Sequence, residues 1–465
     1  MHVCRRWRQV IFASPHRLDL QILCTYGTPV RKSLGIWPAF PIILDYHYVS
    51  SITPYDEDNA IDALEHPDRV CTVRLYVTGS QLGKMATVML VPFPVLTRLD
   101  IRLFSSWDGN APVLPADFLG GSAPCLQEIT LSGIPSPALG KLLLSTNVLV
   151  KLDLLDVPST GYISPEVMIA GLAALPRLES FAIGLQPAPL PVADRIRPPP
   201  VTRIALPALT SFYFKGASEY LEDLVAQIDN PQLNCIEIEY LNQLVDFRVP
   251  QLSKFIDRSM GPRLTRLRCA DVRIRSNKVT FTLYCRANYQ GWDRSPWTTI
   301  SYEVFDWHVS HMAQVLSQFS ATLSNVVHLK LEGNQVDREG TDGVEWLYLL
   351  HQFSTVRTLY IPWTFARHVA LALEDITVEM ATEVLSTLDL IYLEAPRRPQ
   401  PASSVEKFVA VRRLSGRPVT VVDTKTEFHE RLESYVATRE NVLYQLRTLY
   451  PGVYSSTVLI ILCRI

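Results

Sequence analysis

Residues Leu96-Thr97-Arg98-Leu99-Asp100-Ile101 show the pattern that decides the fold, Leu-x-x-Leu-x-Leu with other apolar residues allowed. The pattern recurs eleven times, and successive starts are mostly about 23–31 residues apart. Because side chains alternate between the two faces of a strand, each hexamer predicts a strand whose apolar positions one, four and six point inward. The hexamers begin at Val70, Leu96, Leu126, Leu149, Leu178, Leu209, Leu233, Leu264, Val326, Val356 and Leu385.

Helix-like segments separate many of the hexamers. A strand followed by a helix every 20–30 residues is the signature of leucine-rich repeats. We therefore predict an α/β fold, an irregular leucine-rich-repeat solenoid with parallel strands on its concave side and helices on its convex side. One step, from Leu264 to Val326, is twice as long as the others, so we expect one remodelled repeat there. The predicted helices cover 138–144, 165–175, 220–228, 311–323 and 344–353.

The repeat array is predicted to span 67–423, with an inserted hairpin and Trp-rich loop at about 270–307. Leucine-rich repeats usually carry Asn or Cys three residues after the last strand Leu, and Asn334 is the clearest match. A helix over 405–414, a C-cap glycine at Gly416 and a strand over 419–423 end the array. A capping box at Thr424 then predicts a C-terminal helix, and 424–465 form this helix and a tail.

Composition excludes several classes of function. The chain has 44 Lys and Arg against 46 Asp and Glu, so it lacks a general attraction to nucleic acid or anionic membranes. We predict neither as a partner. Its eight cysteines are scattered without a C-x-x-C pair, which is unlike a disulfide framework or a zinc module. The longest apolar run, 85–96, is well short of a membrane span.

Motifs for catalysis and cofactor binding are absent from the sequence. There is no G-x-G, P-loop, G-x-S-x-G or H-E-x-x-H motif. His308 and His311 could share a helical face, but a zinc site needs further ligands and none follows at motif spacing. We predict no catalytic residue, no metal and no cofactor, and that the chain is not an enzyme. An enzyme with polar groups converging in the 289–307 loop remains a third hypothesis.

The N-terminal segment carries a resemblance to a known family. The stretch Val3-Cys4-Arg5-Arg6-Trp7-Arg8-Gln9-Val10, followed by Ser14-Pro15, is similar to the second half of an F-box. The F-box is a helical module that binds the Skp-type adaptor of cullin–RING ubiquitin ligases. With Ile36-Trp37-Pro38 and the ending at 413–419, the chain resembles fungal proteins that couple an F-box to degenerate leucine-rich repeats.

This resemblance implies an F-box-like segment at 1–25, truncated at its N-terminus, and a connector at 26–66. It also implies partners, the Skp-type adaptor and a cullin. The scattered cysteines indicate free thiols in a reducing compartment, so we predict the cytoplasm or nucleus. The residues that it assigns to the adaptor-binding surface are Val3, Cys4, Trp7, Val10 and Ile11.

The outward positions of the hexamers predict the function. Positions three and five face the concave side, and their charges alternate early in the array and become basic later. Tyr and Arg dominate protein interfaces, so we predict a target protein bound along this side. The predicted target-binding residues are Tyr213, Arg266, Arg268, His328, Lys330 and Tyr360.

Two readings of this surface stay open. In the first, the chain is the substrate-recognition subunit of a cullin–RING ubiquitin ligase, holding an unidentified target on its repeats. In the alternative, it is a non-catalytic repeat scaffold or fragment that does not bind the adaptor. The basic run from Arg263 to Lys278 could meet phosphate or an acidic peptide, or could be a solvated row of strand residues.

Overall fold

The structure is a computed structural model that describes 20–25, 27–37, 39–47, 54–104, 112–136, 139–186, 203–241, 248–275, 278–285, 297–303, 309–333, 343–374, 384–393 and 403–423. Most of the F-box-like segment and the predicted C-terminal helix at 424–465 lie outside these ranges. So do Asn334 and His308.

The described chain alternates strands and helices. The strands are β1 Ile22–Cys24, β2 Ile42–His47, β3 Val70–Val77, β4 Arg98–Leu103, β5 Glu128–Ser132, β6 Lys151–Val157, β7 Ser180–Leu185, β8 Ile204–Ala205, β9 Ser211–Gly216, β10 Ile228–Asp229, β11 Cys235–Tyr240, β12 Cys269–Ile274, β13 Lys278–Tyr284, β14 Trp297–Glu303, β15 His328–Gly333, β16 Thr358–Ile361, β17 Leu390–Leu393 and β18 Thr420–Asp423. The helices are α1 Val30–Ile36, α2 Pro54–Leu64, α3 Gly79–Val88, α4 Leu139–Leu144, α5 Pro165–Leu172, α6 Ser218–Ala226, α7 Pro250–Leu264, α8 Val309–Ser317, α9 Ser320–Leu323, α10 Gly343–His351, α11 Trp363–Glu374 and α12 Ser403–Leu414.

The chain divides into two compact units. The first comprises 1–270, 277–307 and 314–325, and the second comprises 271–276, 308–313 and 326–465. In the first, the strands lie in the order β1-β2-β3-β4-β5-β6-β7-β9-β11-β14-β13. Neighbours there are parallel except β13 and β14, which are antiparallel. In the second, β15, β16, β17 and β18 form a parallel sheet.

Apolar positions four and six of the hexamers build the core. Leu99 and Ile101 of β4 are completely buried, as the alternation predicts. In β9, Phe212 packs against Phe255 of α7, with ring centroids 5.8 Å apart. The opposite side of each sheet carries positions three, five and seven, and we call it the open face. The predicted mixed α/β repeat architecture is therefore confirmed.

Threonine hydroxyl groups join successive repeats just before or at the start of their strands. The Thr97 Oγ1 donates to the carbonyl of Cys71 at 2.9 Å, and the Thr210 Oγ1 donates to the carbonyl of Glu179 at 3.1 Å. In the second unit, the Thr387 Oγ1 donates to the carbonyl of Val356 at 3.0 Å. The carbonyls of Cys71 and Glu179 also accept backbone N–H groups from the following repeat, so these hydroxyls add a second bond at the same carbonyl.

The predicted helices and the C-cap glycine at Gly416 are confirmed. Helices α4, α5, α6, α8 with α9, α10 and α12 lie at the predicted places. Gly416 has φ +74° and its N–H bonds the carbonyl of Arg413 at 3.1 Å, as a C-cap glycine would. Strand β18 follows at once.

Several sequence assignments are wrong. The predicted loop at 289–307 contains β14, which pairs in parallel with β11 and takes the place of the remodelled repeat. Its inward Thr298 is polar, bonding Met260 Sδ at 3.3 Å, so the apolar pattern is lost. The predicted connector at 26–66 contains α1, β2 and α2, and β2 pairs with β3.

The third wrong assignment is the last hexamer. Leu359 of β16 pairs with Ile391, so the true hexamer is Leu388-x-x-Ile391-x-Leu393 rather than the one at Leu385. Position five is therefore Tyr392, and Asp389 lies outside the strand. Steps of 29 and 32 residues both fit the repeat, which is why the pattern alone could not choose.

Candidate functional site

The open face of the first unit begins with ion pairs between neighbouring strands. Arg74 of β3 lies 3.1 Å from Asp45 of β2, and Arg98 of β4 lies 3.2 Å from Glu128 of β5. The guanidinium of Arg102 binds both carboxylate oxygens of Asp100, at 2.8 and 3.2 Å. The acidic and basic residues that alternate in the sequence therefore neutralise each other's charge in the structure.

An open depression lies among these pairs. It is lined by Arg74, Leu75, Tyr76, Asp100 and Arg102. The ring of Tyr76 meets Phe104 edge to face at 5.5 Å, and Phe104 is 43% exposed. Aromatic and arginine side chains together are typical of protein-binding surfaces.

A second cluster surrounds Tyr213 on β9. Its register partner on β11 is Glu237, and the next outward residue along β11 is Glu239. Glu239 is 8% exposed and lies 2.8 Å from the ammonium of Lys278 and 3.4 Å from that of Lys215. Burial raises the pKa of Glu239, but the two ammonium groups outweigh burial and lower it overall.

Glu237 differs from Glu239 in its partners. Within the described parts of the chain, Glu237 makes no hydrogen bond or ion pair, because Lys278 is bound to Glu239. Burial, and secondly the charge of Glu239, raise the pKa of Glu237. The pKa of the Tyr213 phenol is also raised, by burial first and then by the two glutamates. The Tyr213 phenol is therefore protonated at neutral pH and can donate a hydrogen bond, and the neighbouring Glu237 carboxylate can accept one.

The open face of the second unit carries a shared carboxylate. Glu332 of β15 accepts hydrogen bonds from Arg273 of β12, with nitrogen–oxygen distances of 2.7 and 2.8 Å, and it also pairs with Lys330. Burial alone would raise the pKa of Glu332, but the two cations lower it overall. One carboxylate is thus balanced by two positive charges.

Beside this group stand two stacked tyrosines. Tyr360 of β16 and Tyr392 of β17 are register partners, with ring centroids 4.6 Å apart and planes 5° from parallel. Both are partly exposed. In register, the row runs from Lys330 through Tyr360 and Tyr392 to Val422 of β18. It passes from a cation through an aromatic pair to an aliphatic residue.

The structure brings four of the six predicted target-binding residues onto open faces. Tyr213 lies on the first unit, and His328, Lys330 and Tyr360 lie on the second. Arg266 and Arg268 were expected on a strand, which is wrong. They are exposed in the connection between α7 and β12, because that strand begins only at Cys269. Their part in target binding stays a prediction.

Sequence reasoning missed several residues of these surfaces. Arg102, Lys215, Glu239 and Glu332 stand at position seven of their hexamers, two residues beyond the last outward position that was read. The strands run through position seven, so simple continuation of the alternation would have found them. Arg273 was recognised only as part of the basic run from Arg263 to Lys278, because β12 starts late, and Tyr392 was missed because of the shifted hexamer.

Three further features raised by the sequence are a metal site, a membrane span and the adaptor-binding residues. Across the described ranges, no three His, Cys, Asp or Glu side chains come together as a metal site would need. None of the helices that can be described is long and apolar enough to cross a bilayer. The adaptor-binding residues inferred by resemblance, Val3 to Ile11, lie outside the described residues.

Comparisons with known proteins do not assign this chain to a family. No protein-family model matches the chain, and no curated protein matches it. One similar solved structure is that of the leucine-rich repeat-containing protein LegL7 from Legionella pneumophila. It is 15% identical, with a TM-score of 0.28, and the alignment covers 86% of this chain and 99% of that one.

Proposed function

We propose that this chain is a protein-interaction module that binds a target protein on the open faces of its repeats. The observation that carries the proposal is the row Lys330-Tyr360-Tyr392-Val422, in which partly exposed aromatic rings stand beside a cation on regular strands. Rigid aromatic side chains bury much area at small entropic cost, which suits recognition. We propose further that the chain binds and does not catalyse.

The more specific proposal is that the chain is the substrate-recognition subunit of a cullin–RING ubiquitin ligase, working in the cytoplasm or nucleus. Its support is the resemblance of 3–15 to the second half of an F-box. In this arrangement the Skp-type adaptor and cullin are partners of the N-terminal segment, and the repeats hold the target. The alternative is a repeat scaffold that does not bind the adaptor.

Recovery of the adaptor from cells separates these alternatives. The tagged 465-residue chain is purified from lysate, and the Skp-type adaptor and cullin are quantified by mass spectrometry. We expect both to be recovered, and Trp7→Ala to reduce their recovery about tenfold, as for loss of a hot-spot aromatic. Trp37→Ala, at a position 47% exposed, is the matched control and should leave recovery unchanged. Recovery of neither protein by folded chain would leave only the scaffold.

A further inference from the structure

The aromatic row of the second unit lies next to an excess of positive charge. On the described open face of this unit, the carboxylates of β12 and β15 are Asp271 and Glu332. The cations of the same two strands are Arg273 and Lys330, and exposed Arg275 directly follows β12. Three cations thus face two carboxylates in this count, which does not include His328. The charge on this face favours an acidic ligand.

The pair with Glu332 does not use up the binding capacity of Arg273. A guanidinium has five N–H donors, and an ammonium has three. Glu332 supplies a single carboxylate to both Arg273 and Lys330. Arg273 uses its Nε and one terminal nitrogen on Glu332, and its side chain is 42% exposed, so the guanidinium keeps donors for a second carboxylate.

The open face of the first unit shows the contrast. There Arg74, Arg98 and Arg102 each have a carboxylate partner, and Lys215 and Lys278 both bind Glu239, next to the additional carboxylate of Glu237. Among its described residues, the open face of the first unit therefore has no excess of cations over carboxylates. Stacked tyrosines and surplus positive charge occur together on the second unit.

The spacing defines what would fit. Adjacent strands are about 4.8 Å apart, so Lys330 and Tyr392, two strands apart, are separated by about 10 Å. Three residues of an extended peptide cover about 10 Å. A chain crossing the strands could therefore place a carboxylate at Lys330 and Arg273 and an apolar side chain at Tyr392 and Val422.

We propose that the open face of the second unit binds an acidic, extended segment of a partner protein, with a carboxylate at Arg273 and Lys330 and an apolar side chain two or three residues away on the Tyr360–Tyr392 pair. This rests on the proposed function and names the partner's chemistry. It commits to a peptide and not to nucleic acid, because a tyrosine pair next to an aliphatic residue favours an apolar side chain.

The test is a binding titration of the full chain with short fluorescent peptides, followed by anisotropy. The probe peptide is Gly-Asp-Asp-Gly-Leu-Phe-Gly, and two matched probes replace both Asp by Asn, or Leu and Phe by Ser. We expect the probe to bind and each matched peptide to bind at least about tenfold more weakly. Oligothymidine of similar length is the nucleic-acid probe and should bind more weakly still.

Substitutions on the open face of the second unit test whether the probe peptide binds there. Tyr392→Ala should weaken binding about tenfold, whereas Tyr348→Ala, at a helix position 53% exposed, should not change it. Glu332→Gln should tighten binding severalfold, because it removes the competing carboxylate while leaving both cations in place. This variant distinguishes a ligand at Arg273 and Lys330 from a merely structural role of the three side chains.

Several results would overturn the proposal. These are no binding of the acidic probe, equal binding of the Asn probe, tighter binding of oligothymidine, or unchanged affinity in both Tyr392→Ala and Glu332→Gln. Failure here is separable from failure of the proposed function. A target that binds only around Tyr213 on the first unit would preserve protein recognition and refute an acidic partner on the second.

Discussion

Replacement of Arg412 by Met should destabilise the second unit around α12 by about 1–3 kcal/mol, since it removes the donor from the buried carbonyl of Leu388. Arg412 of α12 is 1% exposed, and its guanidinium donates to the carbonyl of Leu388 at 2.9 Å and to that of Ser386 at 3.4 Å. Burial lowers the pKa of Arg412, but an arginine stays charged in proteins. A Met side chain fills much of the same volume as Arg412 but cannot donate a hydrogen bond.

Arg413→Met is the matched control, because Arg413 is the next residue and is exposed. Its effect should stay within about 0.5 kcal/mol. Hydrogen exchange measured by mass spectrometry on peptides covering 386–414 gives the free energy of local opening. Exchange in Arg412→Met as slow as in the unaltered chain would show that these carbonyls do not depend on the guanidinium.

Replacement of Gly333 by Ala should be nearly as damaging. A Cβ at this position would lie 2.5 Å from the carbonyl oxygen of Ile274 and 2.5 Å from Cζ of Phe365. The oxygen belongs to the backbone of β12, so it cannot move aside as a flexible side chain does. Overpacking of this kind costs typically about 1–3 kcal/mol.

Gly83→Ala should have the opposite sign. Gly83 lies in the middle of α3, is exposed, and would place its Cβ with nothing within 4 Å. Alanine is favoured over glycine inside a helix by about 0.8–1 kcal/mol. Differential scanning calorimetry should show a transition lowered by several degrees in Gly333→Ala and one raised slightly in Gly83→Ala. Equal melting of Gly333→Ala and the unaltered chain would contradict the close contact.

The repeat architecture could be predicted because burial enforces a two-residue alternation in every strand. Leu99 and Ile101 are buried and Asp100 between them faces outward, so the hexamer records the geometry directly. Strand β14 could not be predicted from this apolar alternation. Its inward Thr298 satisfies its hydroxyl on Met260, so a polar residue stands where the pattern requires an apolar one.

The candidate site was only partly predictable because alternation gives the side of a residue but not its neighbours across strands. Tyr360 was placed correctly, yet its stacking partner Tyr392 depended on a register that two overlapping hexamers left open. Lys330 was predicted as one of the basic outward positions beside Tyr360. That Arg273 shares Glu332 with it follows from positions 59 residues apart in sequence, which no local spacing encodes.

Site-specific photo-cross-linking tests the central claim, recognition of a protein on the open faces, most directly. A benzophenone amino acid replaces Tyr213 or Tyr360 on the open faces, or Tyr162 or Tyr348, which are 53% exposed elsewhere. After irradiation in cells, we predict that covalent adducts to another protein form from Tyr213 or Tyr360 and far less from Tyr162 and Tyr348. Adducts that form only from Tyr162 or Tyr348 would contradict the account.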